Sequence, residues 1–294
     1  MKSKYLSKKY LSIVIVVYFL IFVAYGFIVF FVFRDSKYEI PQAGLFGDMF
    51  GAINAFFTGL AFLGVAFTIY LQIIENENSK QTFRLSQFES TFFNLLSILH
   101  QVIGSSKKLK QVNGETITIE GSHYFHYAFS QFVEQYANYV LLKKNALRGK
   151  YIGEQVAKGI DYNLALDDFQ LDLDQIKPWL IEAYEKFYES HEENLGHYFR
   201  FVYNIVKHIK DTFPNDRSIQ DKYIGLLQAQ MSNDELGLLF YNCLSKHGLN
   251  SNGKSLFKEW LDSHNFFENI DERCVFDRAF TNFYPSTNFK FMKQ

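Results

Sequence analysis

Few residues in this chain combine the right type with the right spacing for chemistry. The best-populated set lies on HYFRFVYNIVKHIKD, where His197, Arg200, Asn204, Lys207, His208 and Asp211 fall near one face of a helix. Imidazoles, a guanidinium and an ammonium grouped this way would hold an anion or a nucleotide. An ordinary solvent-facing surface has the same pattern.

The other candidate constellations fail on spacing. A zinc hydrolase needs H-E-x-x-H so that both imidazoles share a helix face. His191 and His197 stand six residues apart, in HEENLGH. His123 and His126 are three apart, but no nearby acid completes a metal set. Asp167, Asp168, Asp172 and Asp174 lack the glycine and closing glutamate of a calcium loop, and read as a solvated lead into a helix. A helical toxin-type ribonuclease leaves four to six residues between its Arg and His, whereas seven residues separate Arg200 from His208. There is no phosphate-binding glycine loop and no nucleophile elbow. Cys243 and Cys274 have no motif around them and imply no disulfide framework. No metal and no cofactor is expected.

The elements that must position these residues are helical. Four prolines in 294 residues and long stretches of helical apolar period favour a mainly α fold, with room for one short β-hairpin at TITI beside the VNGET turn. Net charge is −1, so no bulk basic field draws nucleic acid. The aromatic content, 33 Phe and 19 Tyr, is high, and part of that excess lies in the first 75 residues.

Leu11 to Phe33 is uncharged over 23 residues, about 35 Å of helix against a hydrocarbon core of about 30 Å. It is too long for the core of a cleaved signal peptide and reads as an anchor. A second apolar run, Gly44–Ile74, carries only Asp48, which reads as a helix N-cap. Gly47, Gly51, Gly59 and Gly64 would allow close packing, within one chain or between chains. Lys2, Lys4, Lys8 and Lys9 precede the first run, while Arg34 and Lys37 between the runs are balanced by Asp35 and Glu39. The positive-inside rule then predicts a multi-pass protein of the bacterial inner membrane, with the N-terminus and the C-terminal domain both cytoplasmic. The expected organisation is a basic N-terminus (1–9), spans at 10–33 and 47–74 joined by an outer loop (34–46), a helical domain (75–270) and a tail (271–294).

Within that domain, Leu85, Phe88, Phe92, Leu95, Leu96, Leu99 and Ile103 form one apolar stripe. A helical aromatic run follows over 123–147, then a glycine-containing loop over 148–162. A helix capped by Asp174 should run to about Ser190, and another carries Phe199, Val202, Ile205, Val206 and Ile209 inward. Further helices are expected at 219–231 and 255–269. Between them, Ser232 and Glu235 make a capping box that opens ELGLLFYNCLSKHG.

Four blocks, in order, resemble the phage abortive-infection family of bacteria, the AbiC-like proteins. They are GDMFGAINAFFTGLAFLGVAFTIYLQ, QFESTFFNLLSILHQVI, GHYFRFVYNIVKHI and KYIGLLQAQMSNDELGLLFYNCLS, and the resemblance runs from about Gly44 to Ile270. It implies a role in anti-phage defence but no agreed catalytic residues. The positions it marks are Glu89 and Asn94, then His197, Tyr198 and Arg200, then Gln228, Gln230, Glu235 and Asn242. They read as a shared surface or as an interhelical hydrogen-bond network, with Glu89, His197 and Arg200 as expected members.

Three functional readings follow. The first is a membrane-anchored defence protein that senses infection or binds a phage or host protein, with the bilayer and a second copy of the chain as further partners. The second is a membrane-tethered nuclease or nucleotide-handling enzyme using the His197–His208 face. The third is a membrane scaffold.

Overall fold

The computed structural model describes residues 2–35, 42–112, 114–249 and 255–293. Two compact units emerge, Met1–Gln87 and Phe88–Gln294. Of the expected features, residues 36–41 of the 34–46 loop, Lys37 and Glu39 among them, lie outside the described residues, as does Asn113 of the VNGET turn.

The first unit contains helix α1 (Lys2–Asp35) and the first part of helix α2 (Gln42–Ser105). Tyr18 ties them together. Its hydroxyl donates to the Phe56 carbonyl at 3.1 Å, and its ring stacks on Phe56 with centroids 5.5 Å apart. Phe22 packs on the same ring at 4.0 Å. Tyr18 covers Gly59, where a Cβ would lie 2.8 Å from the Tyr18 Cζ, so a larger residue there would displace the ring. Gly51 and Gly64 have open space instead, and Gly47 lies where side chains are outside the described ones.

The expectation of two spans and a multi-pass topology is corrected here. Among the described residues one helical stretch, Ile53–Ser105 in α2, is long enough and has an 18-residue segment apolar enough to cross a membrane, that segment's mean hydropathy being 1.9. The apolar stretch found in α1, Val16–Ile28, is shorter, about 20 Å of helix against a core of about 30 Å. Asp48 is also reassigned. The helix begins at Gln42, so Asp48 lies within α2 and not at its N-cap.

The second unit starts with the end of α2, whose Phe88, Phe92, Leu96, Leu99 and Val102 are buried. A hairpin follows, β1 (Lys107–Val112) antiparallel to β2 (Glu115–Glu120), with Lys107 opposite Glu120. Next come α3 (Ser122–Tyr136), a π turn (Ala137–Leu141) and α4 (Leu142–Ala157). The sequence reads as a loop over 148–162, yet α4 runs through most of it. Gly149 and Gly153 face open space, so they cost the helix only propensity. A short helix α5 (Tyr162–Asp168), capped by Asp161, follows. Helix α6 (Leu173–Glu189) has Asp172 at its N-cap, and Asp174 sits in its first turn.

Helices α7 (Glu192–Thr212), α8 (Arg217–Gln228) and α9 (Asn233–Asn242) complete the frame. The periodicity of α7 holds: Leu195, Tyr198, Phe199, Val202, Ile205, Val206 and Ile209 are buried. Helix α10 (Leu256–Ser263) is shorter than its apolar pattern suggests, because the chain turns at Asn265, which has φ 55°. Residues beyond 270 form short 3₁₀ turns that carry Phe280, Tyr284 and Phe289 into the core.

At the centre lies α9, buried at every residue from Glu235 to Asn242, with α3 and α6 against it. Tyr241 contacts the rings of Phe132 and Phe276 at 5.0 and 4.8 Å, and its hydroxyl accepts the Phe276 N–H at 2.9 Å. At the edge of this core Phe92 is fully buried, 5.1 Å from the Tyr223 ring. Truncating it leaves a ring-sized void, so Phe92→Ala should cost about 3–5 kcal/mol. Denaturant unfolding of the purified protein should show the loss, and a change under about 1 kcal/mol would mean that the end of α2 is not part of this core.

Candidate functional site

The end of α6, the start of α7 and the chain after α9 surround a cleft of about 490 Å³. Its geometry is set by close approaches. Tyr188, on the last turn of α6, passes over Gly196 of α7, where a Cβ would lie 2.8 Å from its hydroxyl oxygen. Gly248 ends a 3₁₀ turn (Lys246–Gly248) folded back on α9. A Cβ there would lie 2.7 Å from the Cys243 Cα and 2.9 Å from the Asn242 carbonyl oxygen. The Ser245 hydroxyl starts this turn by accepting the His247 N–H at 3.2 Å.

His247 is fixed on two sides. Its ring stacks on Tyr188 with centroids 4.0 Å apart, and its Nε2–H donates to Glu185 at 2.9 Å. Lys246 reaches the same carboxylate oxygen at 2.8 Å, and that bond holds its ammonium pKa above the usual value. The other Glu185 oxygen is buried without a partner.

Two of the residues marked by the sequence meet in this cleft, Arg200 and Asn242. Arg200 is exposed and forms no ion pair among the described residues. Asn242 is 3% exposed, and its Nδ2 is sealed from solvent. It lies beside the Tyr184 hydroxyl, which burial raises well above its usual pKa and which the Asn242 side chain lowers in part.

The remaining marked residues lie elsewhere. Glu89 accepts from the Tyr223 hydroxyl at 2.5 Å and stands 3.7 Å from Lys222. His208 stacks on Phe88 at 5.3 Å, with its Nε2 buried and unpartnered. Glu89 therefore contacts neither His197 nor Arg200. His197, Asn204, Asn94 and Gln230 are exposed. Lys207 pairs with Asp211. Tyr198 is buried against Phe125 at 4.7 Å, and burial raises its hydroxyl. Gln228 donates to the Phe266 carbonyl at 2.5 Å and accepts from Asn269 at 3.4 Å. Glu235 completes the capping box: its carboxylate accepts the Ser232 N–H at 2.8 Å, while the Ser232 hydroxyl accepts the Glu235 N–H at 3.3 Å. Sequence reasoning missed Tyr188, Glu185 and His247. The one signal available was the SKHG stretch, where a glycine closes a turn directly after a helix.

Residues 190–275, under a third of the chain, match a sequence-family model described as "Putative phage abortive infection protein". The GHYFRFVYNIVKHI and KYIGLLQAQMSNDELGLLFYNCLS blocks fall within it, and the two earlier blocks do not. No curated protein and no solved structure matches the chain.

Two buried titratable groups in this segment oppose each other. Burial holds the Glu235 carboxyl up at about 7, outweighing its cap hydrogen bonds. Burial holds His191 down at about 4, helped by the Lys108 charge. Between about pH 4.5 and 7 the folded state keeps a Glu235 proton that the unfolded chain has released, so this group's stabilisation is lost as pH rises. Between about pH 6.5 and 4 the unfolded chain gains a His191 proton first, so this group destabilises as pH falls. Glu235→Gln keeps a capping side chain and removes only the first effect. Relative to wild type, it should gain up to about 3 kcal/mol between pH 5 and pH 8. Chemical denaturation at the two pH values measures this, and equal differences at both would show Glu235 ionised in the fold.

Proposed function

We propose that this protein is a membrane-tethered abortive-infection protein. In this reading the apolar stretch of α2 holds it at a bilayer, and the cleft of the helical unit recognises a signal or partner of infection. One observation carries it: the family match at 190–275 covers α7 to α10, which supply Arg200, Asn242, His247 and Phe257 to the cleft. The α7 face from His197 to His208 supports an enzyme less well. His197 and Asn204 are exposed, Lys207 is neutralised by Asp211, and His208 packs on Phe88.

Phage plating on cells with and without the protein tests the class. Wild type should lower plating of a susceptible phage, and Arg200→Ala should lose at least about tenfold of that protection while folding normally, because an exposed side chain rarely carries much stability. Equal plating on both strains across a broad phage panel would end the defence reading. A chain beginning at Gln81, without most of the apolar stretch, should leave the membrane fraction, keep the thermal transition of the helical unit and fail to protect. Full protection by that chain would show that the tether plays no part.

A further inference from the structure

The lining of the cleft specifies a ligand more closely than the family match does. Glu192, Gly196 and Arg200 follow one another at four-residue steps on α7, all three on the cleft wall. A carboxylate and a guanidinium are thus set about 12 Å apart along the helix axis, over a floor that has no side chain. The glycine is required by the Tyr188 hydroxyl above it. Between the charged ends the walls are aromatic, from Tyr188, Tyr203 and Phe257. Asn242, 3% exposed and set against the Tyr184 hydroxyl, closes the back of the cleft. Glu185 is already held by Lys246 and His247, so the uncommitted charges are Arg200 and Glu192.

The geometry points to a nucleoside monophosphate as the class of ligand, an inference that rests on the cleft being the recognition site. Its anionic end meets the planar fork of Arg200, which matches phosphate in a bidentate manner. Its flat ring lies between the aromatic walls. Its amino or hydroxyl donors meet the Glu192 carboxylate. The cleft volume of about 490 Å³ falls within the range of small-molecule sites. No chemical step is involved.

Calorimetric titration of the full chain in lipid nanodiscs tests this, with AMP, GMP, CMP and UMP as probes and inorganic phosphate as the control. At least one nucleotide should bind with a Kd near or below about 100 µM. Arg200→Ala should weaken it at least about tenfold and Glu192→Gln by a smaller factor, while Arg148→Ala, exposed on α4 and away from the cleft, should bind as wild type. Binding by none of the four, binding untouched by Arg200→Ala, or phosphate alone binding as tightly would each overturn the assignment. Plating separates the two readings. Loss of protection by Arg200→Ala without nucleotide binding removes the ligand class and leaves the defence role. Arg200-dependent nucleotide binding in a protein that protects against no phage does the reverse.

Discussion

The helical unit depends on the burial of one short helix on all sides. A ten-residue helix brings unsatisfied N–H groups at one end and unsatisfied carbonyls at the other, and the buried C-terminal end of α9 cannot leave its carbonyls to water. At the N-terminus the reciprocal Ser232–Glu235 box takes two donors. At the C-terminus the Ser245 hydroxyl donates to the Asn242 carbonyl at 2.8 Å, and the Tyr284 hydroxyl donates to the Phe240 carbonyl at 2.6 Å. Helices α3 and α6 and the 3₁₀ turns at Lys246–Gly248 and Glu272–Cys274 pack against this helix. The C-terminal residues are held inside for that reason: Tyr284 is needed at a carbonyl that nothing else reaches.

The cleft is a by-product of the same constraint. Where α9 ends, the chain must turn sharply to keep its last carbonyls capped, and Gly248 lets the turn lie directly on Cys243. That turn delivers His247 onto Tyr188 and Glu185. A second glycine, Gly196, lets α7 pass close under Tyr188. Two close backbone approaches thus leave a concave surface whose polar groups are held from behind by packed side chains, which is how a preorganised site is made.

Buried polar groups elsewhere in the unit have been given structural work. Gln228 ties α8 to the Phe266 carbonyl. Asp262 accepts the Ser286 N–H at 3.1 Å and the Thr287 hydroxyl at 2.8 Å, fastening the last turns of the chain. In each case a polar side chain in an apolar helix is satisfied across elements, as burial demands. The Tyr198 hydroxyl, buried deeper in the core against Phe125, is an exception.

The sequence by itself determined what depends on neighbours along the chain. The apolar stripe at the end of α2, the inward face of α7, the Ser232–Glu235 box and the apolar character of the first 75 residues all follow from local period and side-chain type. Local signals also misled where the deciding term lay elsewhere. Gly149 and Gly153 read as a loop, but the helix bears them because their face meets nothing. The expected Glu89–His197–Arg200 network rested on residue type alone, and helix packing sent Glu89 to Tyr223 and Arg200 to the cleft. Tyr188, Glu185 and His247 come from segments up to 62 residues apart and meet only once α6, α7 and α9 are packed. No period encodes that meeting, because it is fixed by how closely two glycines allow the chain to approach itself. The chain specifies its helices locally, but the site exists only in the packing of one helix against the next.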